Sequence, residues 1–185
     1  MSPPVCAAIL VGGKSERMGA PKHALPWGGS DLLHHVIETT RPLVDEVVLI
    51  GRSIPDRRLT CWPDADGVEG PLGGLLSMVR ARPEVHWLAL SCDMPLISSE
   101  AVRWLTSWGR DEWAAVIPRT RDGHHQPLAA LYGPGAGPLL ESIASGPTMS
   151  LRLLVKHPDV HTPEVPDQLD GCWVNVNTPA DLERC

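Results

Sequence analysis

The sequence predicts an α/β fold, a three-layer sandwich on a mostly parallel central sheet. Short apolar runs at residues 5–11, 46–51 and 87–92 read as strands buried on both faces, the habit of parallel sheets. Between them stand segments whose apolar residues recur at three- and four-residue spacing, as crossover helices do. Nineteen prolines and 17 glycines punctuate the chain and suit many tight connections. With 185 residues, no internal repeat and no linker, the expectation is one domain spanning 1–185.

The elements come in order. Val5 opens an apolar run through Val11 that two glycines, Gly12 and Gly13, terminate. Trp27-Gly28-Gly29 reads as a turn and Ser30 as a helix N-cap, with Leu32, Leu33, Val36 and Ile37 on one face and an end near Pro42. A second strand over 46–51 stops at Gly51, and 52–69 is polar and irregular. Pro71 suits a first helical position ahead of Leu72, Leu75, Leu76 and Val79. The third strand, 87–92, runs into Asp93-Met94-Pro95-Leu96. Ser98 or Ser99 caps a helix bearing Ala101, Trp104, Leu105 and Trp108. Strands are expected at 114–117 and 127–132, short helices at 137–143 and 149–156, and a last strand at 172–176. Thr178-Pro179-Ala180-Asp181 has the form of a capping box with proline in the first turn.

The densest chemistry lies at residues 10–22. Lys14, Arg17 and Lys22 put three cations in one short loop of a chain whose net charge is −6. Gly12 and Gly13 can take positive φ and admit a ligand close to the backbone, where successive N–H groups can meet an anion. Two common phosphate loops fail here. A Walker A motif ending at Gly13-Lys14-Ser15 needs glycine at position 8, which is Ala8. The dinucleotide pattern needs glycine where Lys14 stands.

What the stretch resembles is the nucleotidyltransferase signature L-[AV]-G-G-x-S-x-R-M-G-x-x-K. It matches at Leu10, Gly12, Gly13, Ser15, Arg17, Met18, Gly19 and Lys22. Val11 stands where alanine is commoner, and Pro21 where an acidic residue is frequent. Within that family the likeness is nearest to the molybdenum cofactor guanylyltransferases. The resemblance implies a Rossmann-like nucleotidyltransferase fold, with nucleotide bound in the N-terminal part and acceptor in the C-terminal part. It also implies that Leu10, Gly12, Gly13, Lys14, Ser15 and Lys22 contact the nucleotide and that Arg17, Lys22 and Asp93 are catalytic.

Further segments carry the resemblance along the chain. Ser91-Cys92-Asp93-Met94-Pro95 is similar to the family's second motif, whose aspartate binds Mg2+. By itself Asp93 reads equally as a turn cap or as a metal ligand at a strand end. Asp64 falls where related guanylyltransferases carry an acidic residue near the nucleoside. Gly70-Pro71-Leu72-Gly73-Gly74 offers either helix N–H groups to a phosphate or glycines for close packing. Asn175-Val176-Asn177-Thr178-Pro179 resembles a C-terminal motif at the acceptor or metal, with a plain strand-to-helix turn as the competing reading. The pairs His124-His125 and His34-His35 receive no role, and the second is expected on the outer face of its helix.

Composition excludes other classes. The acidic balance argues against a nucleic-acid partner. No apolar run is long enough to cross a bilayer, and the first residues lack a signal-peptide core, so a cytoplasmic protein is expected. Five scattered cysteines without C-x-x-C spacing point away from zinc and disulfides. There are seven tryptophans and no phenylalanine, for which core substitution is the simple account. The implied reaction transfers GMP from GTP to molybdopterin, with Mg2+ as cofactor and transient contact with molybdenum cofactor synthesis proteins. A cytidylyltransferase of the same fold, a small nucleotidyltransferase with another phosphorylated acceptor, and an inactive GTP-binding adaptor are the alternatives. Oligomeric state stays open.

Overall fold

The structure, a computed structural model, describes residues 4–12, 21–54 and 58–185. β1 (Val5–Val11) is buried almost throughout. A small hairpin comes next, β2 (Pro26–Trp27) and β3 (Ser30–Asp31), then α1 (Leu32–Thr40), β4 (Glu46–Gly51) and β5 (Cys61–Trp62). The chain continues through α2 (Pro71–Ala81), β6 (His86–Ser91), α3 (Ser99–Thr106), β7 (Ala115–Val116) and β8 (Ala129–Tyr132). α4 (Ala136–Ala144), β9 (Val160–His161) and α5 (Pro179–Glu183) complete it.

Seven strands form the main sheet in the order β5-β4-β1-β6-β8-β7-β9. β5, β4, β1 and β6 are mutually parallel, and β8 runs against both β6 and β7. Alternation along β1 divides the core. Cys6 and Ala8 join Val48, Ile50 and the buried faces of α2 and α4 on one side. Ala7, Ile9 and Val11 join Leu33, Val36 and Ile37 of α1, and Ala101 and Leu105 of α3, on the other. Helices on both faces explain why these strands read as unbroken apolar runs, and the three-layer α/β expectation holds.

Local differences have local causes. Asp31, not Ser30, caps α1: its Oδ1 accepts the His34 amide at 2.7 Å. Ser30 is instead paired with Trp27 across a turn whose Gly28 and Gly29 both have positive φ, as a tight hairpin requires. Ser98 caps α3, and the Thr178/Asp181 capping box forms on α5. The expected helix at 149–156 is a 3-10 helix, Leu151–Lys156. The expected strand at 172–176 is absent. A 3-10 helix, Asp167–Trp173, occupies its first residues, and one backbone bond, Val176 N–H to the Asp93 carbonyl at 3.0 Å, fastens its end beside β6.

β5 and β9 are two residues each, too short to show a period in sequence. His35 is half-buried rather than outward: its Nε2 lies 3.2 Å from the Ile97 carbonyl, joining α1 to the turn before α3. The tryptophans do serve the core and its margins. Trp62 meets Trp87 edge-on at 5.7 Å, Trp104 meets Trp173 at 5.8 Å, and Trp108 and Trp113 flank His161. No helix among the described residues is long and apolar enough to cross a membrane.

Candidate active site

The carboxyl ends of β1 and β6 lie side by side, with Leu10 opposite Ser91. Strand order reverses here. The chain leaves β1 for β4 and β5 on one side, then α2 carries it back to β6 on the other. In open α/β sheets such a reversal opens a crevice where ligands bind.

Three distant residues meet in it. Lys22, on the single 3-10 turn after Pro21, places Nζ 2.7 Å from Asp93 Oδ2 and 2.8 Å from Asn177 Oδ1. Asp93 comes just after β6 and is 7% exposed. Its other oxygen accepts the Ser91 hydroxyl at 2.5 Å. A buried carboxylate needs such compensation, and an ammonium plus a hydroxyl provide it. Ser91 ends β6, and the turn that follows brings Asp93 back against its hydroxyl.

Asn177 is held from behind. The amides of Asn177 and Thr178 donate to Asp181 Oδ2 at 3.0 and 2.8 Å, and the Asp181 amide donates to Thr178 Oγ1 at 3.2 Å. These bonds, the Asn177 amide first, hold the Asp181 carboxyl below the usual carboxylate range. The cap that starts α5 therefore also fixes the backbone that presents Asn177. Asn175, half-buried on the extended segment before it, is outside the Lys22–Asp93–Asn177 set.

Asp64 lies at the neighbouring strand end. A Cβ on Gly74 would stand 3.3 Å from Asp64 Oδ1 and 2.9 Å from Leu10 Cδ2. A Cβ on Gly73 would stand 2.4 Å from the Val68 carbonyl. The glycines after Pro71 thus permit close packing of the 64–68 turn on α2, which favours the packing role over the phosphate role for this segment. Partial burial there raises the Asp64 carboxyl above its ordinary value, although the residue as a whole is exposed. Gly12 does not take positive φ, and a Cβ on it would meet nothing within 4 Å among the described residues. Gly13, Lys14, Ser15 and Arg17 lie outside the described residues.

Cys92 is not a nucleophile. Burial first, then Asp93, pushes its thiol up to about 12. Exposed His124 places Nδ1 2.8 Å from Asp122 Oδ2 in a surface turn. Among the described residues no cluster of three or more His, Cys, Asp or Glu is arranged to hold a metal. A cavity of about 360 Å³ against Trp27, His34, His35 and Glu38 shares no lining residue with the Lys22 cleft. Sequence reasoning passed over Ser91 and Asp181. A hydroxyl at the end of the strand, two residues before Asp93, was the available signal for the first; the capping box pointed to the second, but only as a helix start.

A MobA-like NTP transferase domain model matches residues 7–160, which include most of β1, Lys22, Asp64 and Asp93. This chain belongs to that family. It is a nucleotidyltransferase, and the central sheet is the nucleotidyltransferase fold. A probable molybdenum cofactor guanylyltransferase from Carboxydothermus hydrogenoformans is 29% identical over 184 residues, covering 96% of this chain and 92% of its own. Another so named, from Bacillus cytotoxicus, is 29% identical over 195 residues, covering 98% and 97%. In fold, the chain is similar to molybdopterin-guanine dinucleotide biosynthesis protein A from Archaeoglobus fulgidus. That match has a TM-score of 0.80 at 24% identity and covers 97% of this chain and 95% of the other.

Proposed function

We propose that this family member transfers GMP from GTP to the terminal phosphate of molybdopterin and releases pyrophosphate. The observation that carries the reading is the meeting of Lys22, Asp93 and Asn177 at the reversal of strand order. The names of two relatives, each a probable molybdenum cofactor guanylyltransferase, support the choice of substrates.

The roles rest on chemistry. A phosphate oxygen of the acceptor attacks the α-phosphorus of GTP in line; a P–O bond forms there and the bond to pyrophosphate breaks. The attacking oxygen is already anionic, so no general base is required. Lys22, aided by Arg17, stabilises charge that shifts toward the leaving group, and alignment supplies much of the remaining rate. Leu10, Gly12, Gly13, Lys14, Ser15 and Asp64 hold the nucleotide. A partly desolvated carboxylate at Asp64 suits a base that presents N–H donors. Asn175 and Asn177 face the acceptor.

Mg2+ fits the donors present. Asp93 Oδ2 and Asn177 Oδ1 already converge on a cationic group at 2.7 and 2.8 Å, and both are the hard oxygens this ion takes. When bound, the ion neutralises phosphate charge beside Asp93. The protein acts in the cytoplasm as one domain over 1–185, meets molybdenum cofactor synthesis proteins transiently, and binds neither nucleic acid nor membrane.

The test is pyrophosphate release with molybdopterin, comparing GTP and CTP in wild type and in Gly12→Ala. Among the described residues a Cβ at Gly12 meets no atom within 4 Å, so a loss for GTP that exceeds the loss for CTP reports ligand contact. GTP should weaken by about 1–3 kcal/mol and CTP by less. A wild-type preference for CTP overturns the guanylyl reading. Release with neither nucleotide overturns the transfer reading itself.

A further inference from the structure

Gly51 closes β4 at φ +100°, and a Cβ on it would stand 2.7 Å from the Val11 carbonyl oxygen. That same oxygen accepts the Arg52 amide at 2.8 Å. Only glycine tolerates both the left-handed backbone and the close approach. The turn it makes starts the Arg52 side chain at the junction of Val11 and Gly12, and Arg52 lines one narrow cleft with Val11, Gly12, Lys22 and Cys92. It enters from the β4 side of β1, whereas Asp93 enters from the β6 side.

Its place in the cleft distinguishes this arginine. Arg80, Arg82 and Arg119 meet the carboxylates of Glu141, Glu46 and Glu164. Arg52 is exposed and forms no ion pair among the described residues. Across the cleft the Lys22 ammonium is already matched by Asp93 at 2.7 Å. Among the described residues, the cation lining this cleft without a matching carboxylate is therefore Arg52. A guanidinium is a planar fork whose paired N–H groups fit two oxygens of a phosphate.

We propose that Arg52 is a further nucleotide-binding residue, which grips the triphosphate from the side opposite Asp93 and Asn177. The proposal rests on the nucleotidyltransfer reading and adds a phosphate contact from outside the signature loop. The grip acts on the bound nucleotide before and during transfer alike, so its loss raises KM and leaves kcat nearly unchanged. Arg52→Lys keeps the charge and loses the fork, and should recover part of the affinity.

Calorimetric titration of GTP, GDP and guanosine into wild type, Arg52→Ala and Arg52→Lys, with Mg2+ present and folding checked by circular dichroism, tests this. GTP affinity should fall roughly ten- to a hundredfold in Arg52→Ala, the scale of a charge-assisted pair, with GDP reduced and guanosine unchanged. Undiminished GTP affinity overturns the proposal. Equal losses for GTP and guanosine overturn it too, because the guanidinium would then act on the base or ribose. Wild type that binds no GTP sinks both this proposal and the functional reading. Wild type that binds GTP but releases no pyrophosphate sinks the transfer reading alone, and the affinity comparison still decides Arg52.

Discussion

A buried ionisable residue stands at each end of β6, His86 on its first position and Asp93 just beyond its last, and the two ends are built differently. At the carboxyl end Asp93 is 7% exposed and fully engaged, by Lys22 on one oxygen and Ser91 on the other. At the amino end His86 is 1% exposed, and neither ring nitrogen has a hydrogen-bond partner among the described residues. The nearest carboxylate, that of exposed Asp111, is 3.6 Å from its Nε2. Burying an ionised carboxylate demands partners, because the alternative is several kcal/mol of lost solvation. A lone polar ring can be buried incompletely satisfied at a smaller cost. Polar density thus collects at the edge where strand order reverses, while the opposite edge uses its polar group as packing.

Four substitutions put that contrast to the test. The largest effect belongs to Asp93→Asn, which keeps shape but removes the charge that both a hard cation and Lys22 require. Turnover should fall about a thousandfold or more, with the circular dichroism spectrum unchanged. A variant that keeps wild-type dependence on magnesium would move the ion away from Asp93. Lys22→Ala comes next, with kcat/KM lower by at least about a hundredfold. Near-normal turnover would remove the lysine from the mechanism.

Asp181 tests the support behind Asn177. Its folded pKa is depressed by the amides of Asn177 and Thr178. Its contribution to stability is therefore complete above the ordinary aspartate value near pH 4 and is lost as pH falls through the lowered folded value. Asp181→Asn should shrink that acid-side stability loss and lower kcat/KM about tenfold at neutral pH, as Asn177 loses its fixed backbone. Unchanged kinetics across pH would confine Asp181 to helix capping. The smallest effect is expected from His86→Leu. Replacing an unsatisfied buried ring with an apolar side chain should alter unfolding free energy by less than about 1 kcal/mol in urea titration and leave kcat/KM alone. A loss of about 3 kcal/mol would mean that the two ends of β6 are more alike than the contrast holds.

The parallel half of the sheet was legible because each long strand is covered by helices on both faces, which makes the run apolar and the period plain. Strands 5–11 and 46–51 appear with the expected bounds, and 87–92 shifts by one residue. The half beyond β6 was harder to read. β7 and β9 are two residues long, and the segment expected as a strand at 172–176 answers to one bond at Asp93 and to Trp173 packing on Trp104. Those are long-range contacts, with no local period to announce them.

Local sequence was enough for the layer architecture, the strand-end position of Asp93, the capping box at Thr178 and the signature that ties the chain to its family. Each of these is a short-range pattern, set by backbone propensity or by adjacent residue types. Which of those residues meet is a matter of tertiary structure alone. Lys22 lies 71 residues from Asp93 and 155 from Asn177, yet one ammonium bonds to both. The turn of Gly51 that brings Arg52 toward Gly12 is of the same kind, since the Val11 carbonyl that enforces it belongs to a different strand. Sequence order carries no distance between strand ends; the reversal of strand order, and the crossovers that produce it, bring those ends together.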